Sequence, residues 1–267
     1  MNPQHAGLLR AAIFLGGLAL LLLLEILRPR RAQPARRAQR WPANLGLAAI
    51  DSALVAATSL SGYAAAWSAR SHDWGLFNHL AWPGWLAGAC CCLVFDAAIY
   101  GQHRLLHAWP LLWPLHRPHH TDVELDATSA LRFHPAEILL SQLWKISVVM
   151  ALGAPPLAVL VFEITLNACA MFNHANIAVP GDIWLRQLVV TPDMHRVHHS
   201  VHVEETNSNY AFCLPLWDHL FRSYRAQPHD GHPSMDIGLP DWREPSAQRL
   251  VALLLQPFAG WRHRPGK

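Results

Sequence analysis

Three histidines fall within five residues of TPDMHRVHHS, residues 191–200: His195, His198 and His199. Upstream, WPLHRPHHTD carries His116, His119 and His120 in the same H-x-x-H-H spacing, and GQHRLLHAWP adds His103 and His107. On a helix, residues three and four apart lie on one face. Each box therefore offers two or three imidazoles to one small volume. A basic membrane surface would use Lys and Arg, because histidine is mostly neutral at pH 7; neutral imidazole is a metal ligand. Eight such ligands exceed the four that a structural zinc takes, so they fit two metal ions sharing a cavity. Imidazole alone leaves the metal open among zinc, copper, iron and nickel. The isolated His5, His72, His79, His229, His232 and His263 read as polar surface residues.

The elements that must position these boxes are membrane helices. Of the 267 residues, 52% are hydrophobic and 15% charged, against about 25% charged in a soluble chain. A net charge of +3 implies no nucleic-acid surface. The five cysteines form no C-x-x-C pair, and Cys90, Cys91 and Cys92 sit in an apolar run as small hydrophobes.

Residues 8–27 are long and apolar enough to span a bilayer. The basic cluster follows this run and no small-residue cleavage site does, so a retained helix is expected rather than a signal peptide. That cluster is Arg28, Arg30, Arg31, Arg36, Arg37 and Arg40. It is expected on the cytoplasmic side, against lipid headgroups, with the N-terminus outside. A second span is expected over 43–67 and a third over 84–101, running directly into His103. Residues 136–172 are apolar but broken by Gly153, Pro155 and Pro156. Proline cannot continue a helix interior, so this stretch reads as a helical hairpin. It brings His174 back to the side that carries the boxes. Residues 200–246 read as a polar cap, and 249–264 as an interfacial segment. Within the spans, Asp96 and Glu163 are ionisable; support of the site and solvation at the interface both remain open readings for them.

The boxes, with ALRFHPAE at 130–137, FNHANI at 172–177 and NSNYAFCLPLWDHLFRSY at 207–224, resemble the fatty acid hydroxylase/sterol desaturase superfamily of membrane di-iron proteins. The match covers most of residues 90–225. The resemblance implies an all-α integral membrane protein of about four transmembrane helices, including a helical hairpin, under a cytosolic histidine-rich helical cap. It carries His103, His107, His116, His119, His120, His195, His198 and His199 over as metal ligands, with His174 and His134 as additional ones. Asn176, Asp193 and Asn209 match motif positions and are expected, with Asp96, to orient the imidazoles. Trp217 and Asp218 read as packing and local hydrogen bonding. Where the family often has N-Y-G and W-D-R-L-F-G-T-Y, this chain has Ala211, His219 and Arg222, which puts the shape of the cap in question rather than the metal site.

The expected function is a di-iron oxygenase that uses O2 to hydroxylate, or desaturate, a lipid or sterol-like substrate in a bacterial inner membrane, with the metal site facing the cytoplasm. Zinc is a possible occupant on isolation. Electrons are expected from an external cytochrome or ferredoxin, since no Rossmann glycine motif or haem attachment motif occurs. The expected divisions are 1–83 (membrane helices and arginine loop), 84–225 (catalytic) and 226–267 (tail). Two rivals belong to other classes. A metal transporter would want polar residues strung through the spans. A zinc hydrolase would want fewer histidines and a carboxylate base, for which Glu124 or Glu137 could serve.

Overall fold

The computed structural model describes residues 3–33 and 37–259. Arg36, His263 and residues 260–264 of the expected interfacial segment lie outside that range. Among the described residues every regular element is helical; the extended pairings are two isolated bridges, Pro29 with Ile177 and Ser200 with Ile237.

The long helices are α1 (Pro3–Leu27), α2 (Arg37–Thr58), α3 (Gly62–Ser71), α4 (Gly84–Ala108), α6 (Pro135–Leu152) and α7 (Pro156–His174), with α5 (Trp113–His120) between α4 and α6. The cap carries the short helices α8 (Asp182–Leu185), α9 (Pro192–His198), α10 (Val203–Thr206), α11 (Leu216–Leu220) and α12 (Leu250–Leu255). Five segments are long and apolar enough to cross a membrane: 5–27, 37–78, 84–108, 135–152 and 156–174. The chain is therefore an all-α integral membrane protein, with one more candidate span than the four expected. Helix α1 shows why a membrane is needed. It packs along α7 but leaves Leu8 and Leu15 more than 60% exposed, a surface that water would not tolerate.

Proline and glycine set the hairpin. Pro135 and Pro156 occupy the first helical positions of α6 and α7, where the missing N–H costs nothing. Gly153 ends α6 in the left-handed region at φ +62°. A Cβ there would stand 2.5 Å from the Trp74 carbonyl oxygen, so the loop after α3 seats on the turn only because the residue is glycine. The second expected span differs from the structure. It is two helices, broken at Ser59, whose φ is +54°, and restarted where the Ser61 hydroxyl accepts from the Ala64 N–H. A core of Ala66, Cys91, Phe95, Val149, Val159 and Phe162 holds α3, α4, α6 and α7 together.

The arginine loop behaves differently from the expected headgroup contact. Arg40 is buried and pairs with Asp122, at 2.9 Å, and with Asp126. Arg37 reaches the buried Glu25, and Arg30 makes a two-atom pair with Asp193. Arg31 donates to the Met235 carbonyl at 2.7 Å. Arginine's planar fork suits such carboxylate clamps, and here they tie the membrane helices to the cap. At the other end of the chain, Leu253 of α12 is buried against Ala43 and Leu47 while Val251 and Phe258 stay exposed.

Candidate metal centre

Helix α4 runs two turns past its apolar span and so delivers His103 and His107 from the same helix that crosses the membrane. Helix α5 carries His116, His119 and His120, α7 ends on His174, and α9 carries His195 and His198, with His199 as its C-cap. The side chains sort into two buried groups. His103, His107, His116, His120 and His198 form one; His119, His174, His195 and His199 form the other. In each group the candidate ligand atoms lie within 4.8 Å of one another.

The H-x-x-H-H spacing does not send a whole box to one volume, as the shared helix face led us to expect. In α5 the i and i+4 residues, His116 and His120, enter the five-histidine group and His119 enters the other. In α9 the assignment reverses: His195 and His199 enter the four-histidine group and His198 crosses to the first. Two short helices thus exchange one imidazole each, which fixes the two groups side by side; His120 and His199 stack at 4.4 Å between ring centroids.

The backs of the rings settle which nitrogens face inward. His103 Nδ1 lies 2.7 Å from the Tyr210 carbonyl oxygen, and His198 Nδ1 lies 2.7 Å from that of Ser208. A carbonyl only accepts, so both Nδ1 atoms carry the hydrogen and both Nε2 atoms present bare lone pairs. Those two Nε2 atoms are 3.1 Å apart. Two lone pairs at that distance repel unless a cation lies among them. In the other group His174 Nδ1 is 3.0 Å from Ser129 Oγ, whose own hydrogen goes to the Asp126 carbonyl, and His195 Nε2 faces His174 Nε2 at 3.0 Å. Among the described residues, buried ring nitrogens of His107, His119, His120, His195 and His199 have no hydrogen-bond partner. The donor set fits metal ions on both sides.

Electrostatics favour the same reading. Burial pushes His116 down to about 3. His119, His120, His195, His198 and His199 are held well below the ordinary histidine value by burial first and by neighbouring imidazoles second. These rings are neutral at pH 7, as ligation requires.

His134 joins neither group. It caps α6, its Nδ1 accepting from the Ala136 N–H at 3.1 Å while its Nε2 lies 3.2 Å from the Leu254 carbonyl. Both nitrogens are engaged away from the cavity. Among the described residues, none of the four expected to orient imidazoles has a hydrogen bond to one. Asn176 exchanges bonds with the Arg31 backbone, and Asn209 clamps Met194 and Arg225. Asp96 accepts from Leu214 N and Trp217 Nε1, pinning α4 to the cap. For Asp193, burial alone would raise the pKa, but the Arg30 hydrogen bonds and the charge of Arg196 hold it below the usual carboxylate range. His232, read as a surface residue, is buried 3.7 Å from Asp193. Side chains that do reach imidazoles of the two groups include Glu137, 2.7 Å from His116 Nδ1, and Ser129. Glu137 stood in ALRFHPAE and was weighed only as a base; the carbonyls of Tyr210, Ser208 and Arg132 leave no trace in side-chain identity.

A cavity of about 190 Å³ opens beside the five-histidine group, between α4, α6 and α7. His103 and His116 close one end, and Ile99, Leu106, Phe133 and Leu166 supply apolar walls.

Comparison with known proteins gives this geometry its family. The fatty acid hydroxylase family model matches residues 88–223, which hold all nine clustered histidines. The chain belongs to the fatty acid hydroxylase family. Among curated family relatives, ornithine lipid hydroxylase OlsE of Rhizobium tropici is 29% identical over 185 residues, covering 67% of this chain and 52% of that protein. Human alkylglycerol monooxygenase is 28% identical over 68% of this chain and 39% of its own length. Rat cholesterol 25-hydroxylase is 27% identical over 52% of this chain and 47% of its own. The chain thus spans about half or less of these fatty acid hydroxylase relatives. No solved structure matches it.

Proposed function

We propose that the protein is a membrane-bound di-iron oxygenase that hydroxylates a lipid. The observation that carries this reading is the pair of bare Nε2 atoms on His103 and His198, 3.1 Å apart, where His103 also closes one end of an apolar-walled cavity between membrane helices. His103, His107, His116, His120 and His198 would hold one ion, and His119, His174, His195 and His199 the other. His134 is left out of the ligand set. Iron supplies the redox chemistry with O2 that an unactivated C–H bond requires and that zinc lacks. The overall reaction is R–H + O2 + 2 e⁻ + 2 H⁺ → R–OH + H2O; desaturation is the alternative outcome of the same hydrogen removal.

The chain's own residues provide the setting. Tyr210, Ser208 and Arg132 carbonyls, Glu137 and Ser129 hold ring orientation from behind. The helices exclude water and present the substrate from the bilayer. The relatives act on lipids or sterols by name, and the cavity's apolar walls agree with a lipid substrate. Residues 84–225 would carry the reaction, with the described membrane helices before residue 84 as its anchor; the described residues of the tail, 226–259, pack on it, Gln248 binding both Thr121 and Arg132. The pairing of the arginine loop with the cap, taken with the positive-inside rule, supports a metal site on the cytoplasmic face with the N-terminus outside; an external cytochrome or ferredoxin would then supply electrons from that side. Of the two carboxylates a zinc hydrolase could use as base, Glu137 is committed to His116, and nine clustered imidazoles exceed what such a site needs.

The test is untargeted lipid mass spectrometry of membranes that express the protein or His198→Ala under air. A lipid species heavier by one oxygen, absent from the variant, is the expected result. Loss of two hydrogens would assign desaturation, and unchanged lipids in a metal-loaded, reductant-supplied preparation would contradict the oxygenase reading.

A further inference from the structure

The cavity is not apolar along its whole length. Helix α6 lines it with Glu137, Ser141 and Lys145 at i, i+4 and i+8, so one helical face runs from the His116 end to a lysine about 12 Å deeper. Ser141 is occupied by Gln102 at 2.8 Å. Gln142, half-buried, and Asn167, exposed, also line the cavity, and neither amide has a hydrogen bond among the described residues. Lys145 Nζ makes one contact, 2.6 Å to Glu163, and an ammonium has three donors. Glu163 also takes Arg10 at 2.8 Å. One carboxylate thus faces two cations, so that Glu163, where α1, α6 and α7 meet, balances only one of the two charges held against it.

Unmatched polar groups and an unbalanced charge are costly at membrane depth and mark a site for something that completes them. Two further features gather there. Gly62, where the broken second span restarts, packs so closely that a Cβ would stand 2.9 Å from Glu163 Oε1. A second cavity of about 220 Å³, between α1 and α7, is lined by Arg10 and shares Asn167 with the first.

We propose that Lys145, Gln142 and Asn167 form a receptor for the oxygen-bearing polar end of an amphipathic lipid. The substrate is then bound with that end away from the histidines, and His103 and His116 meet carbon in its apolar part. The polar group is a carboxylate or a hydroxyl, the two chemistries that an ammonium and two amides can both bind. The identity of the reacting end rests on the di-iron reading above; the polar receptor does not.

The experiment measures binding of octadecanoate, octadecanol and octadecane to the purified full chain in detergent, with metal content counted separately in the same preparation. Wild type is expected to hold octadecanoate or octadecanol about tenfold or more tighter than octadecane, since hydrogen bonds to a charged donor are worth at least that factor. A preference for octadecanoate alone names the carboxylate, and equal binding of both polar probes names the hydroxyl oxygen. Lys145→Met and, separately, Asn167→Leu, a partnerless position whose change leaves packing intact, are expected to shrink the preference severalfold. Equal binding of all three probes by wild type, or an undiminished preference in both variants, would overturn the proposal. So would a natural product oxygenated at the carbon next to its polar group. Discrimination by a chain that holds no metal would support the receptor while removing the di-iron reading.

Discussion

Nδ1 of His116 lies 2.7 Å from Oε1 of Glu137, and both side chains are buried. The carboxylate fixes the ring so that Nε2 faces the five-histidine group. Partners of this kind are worth about 10–100-fold in metal affinity. Glu137→Ala is expected to lose iron at that group by such a factor while the four-histidine group keeps its ion. Chelator titration followed by metal counting per chain checks this; equal loss from both groups would contradict it.

Asp218 accepts from the Tyr210 and Ala211 N–H groups at 2.9 and 3.0 Å and from Ser223 Oγ at 2.7 Å. It therefore holds the loop whose Tyr210 carbonyl orients His103. Asp218→Ala strands two buried N–H groups, each costing about 1–3 kcal/mol. A loss of about 2–4 kcal/mol is expected in thermal unfolding in detergent, together with weakened metal binding.

Arg222 sits at φ +59° on an exposed turn, where a side chain with a Cβ is strained by about 1–2 kcal/mol. Arg222→Gly removes that strain and adds unfolded-chain entropy of somewhat smaller size. A net gain of about 0.5–1 kcal/mol is expected, read as a higher melting temperature. A lower one would mean that the guanidinium makes a compensating contact.

The depressed imidazoles make the metal-free protein acid-sensitive. His116 falls from the ordinary 6.5 to about 3 when folded, and His119, His120, His195, His198 and His199 shift in the same direction. The unfolded chain therefore binds more protons below 6.5. Their contribution is fully present above that pH and is lost as pH falls from about 6.5 towards about 3. Denaturant midpoints of the metal-free protein are expected to drop steadily from pH 7 to pH 5. A flat profile would show that the rings take up protons in the fold as they do in the unfolded chain, against the depressed values.

The sequence made the hairpin legible because Gly153, Pro155 and Pro156 interrupt an apolar run, and it made eight ligand candidates legible because histidines at helical spacing have few other uses; His174 came from the resemblance of FNHANI alone. The partition of each box between two groups was not legible, since spacing fixes a helix face and not which neighbour that face meets. His134 misled for a related reason: a histidine before a helix-starting proline is equally suited to cap the helix, and only the placement of Leu254 decides. Asp193, Asn209 and Asp96 proved to fasten backbone and arginines, roles set by long-range contacts with Arg30, Arg225 and Trp217. The arginine loop looked like a charge signal alone because most of its carboxylate partners, Asp122, Asp126 and Asp193, lie more than eighty residues away.

The central claim is that two groups of buried imidazoles hold two iron ions. The most direct measurement is the number of ferrous ions bound per chain after anaerobic loading, for wild type, His107→Ala with His198→Ala, and His174→Ala with His199→Ala. Two ions are expected in wild type, one for each group found in the structure, and one in each double variant. A single ion in wild type, or loss of both ions from either double variant with the fold intact, would contradict the account.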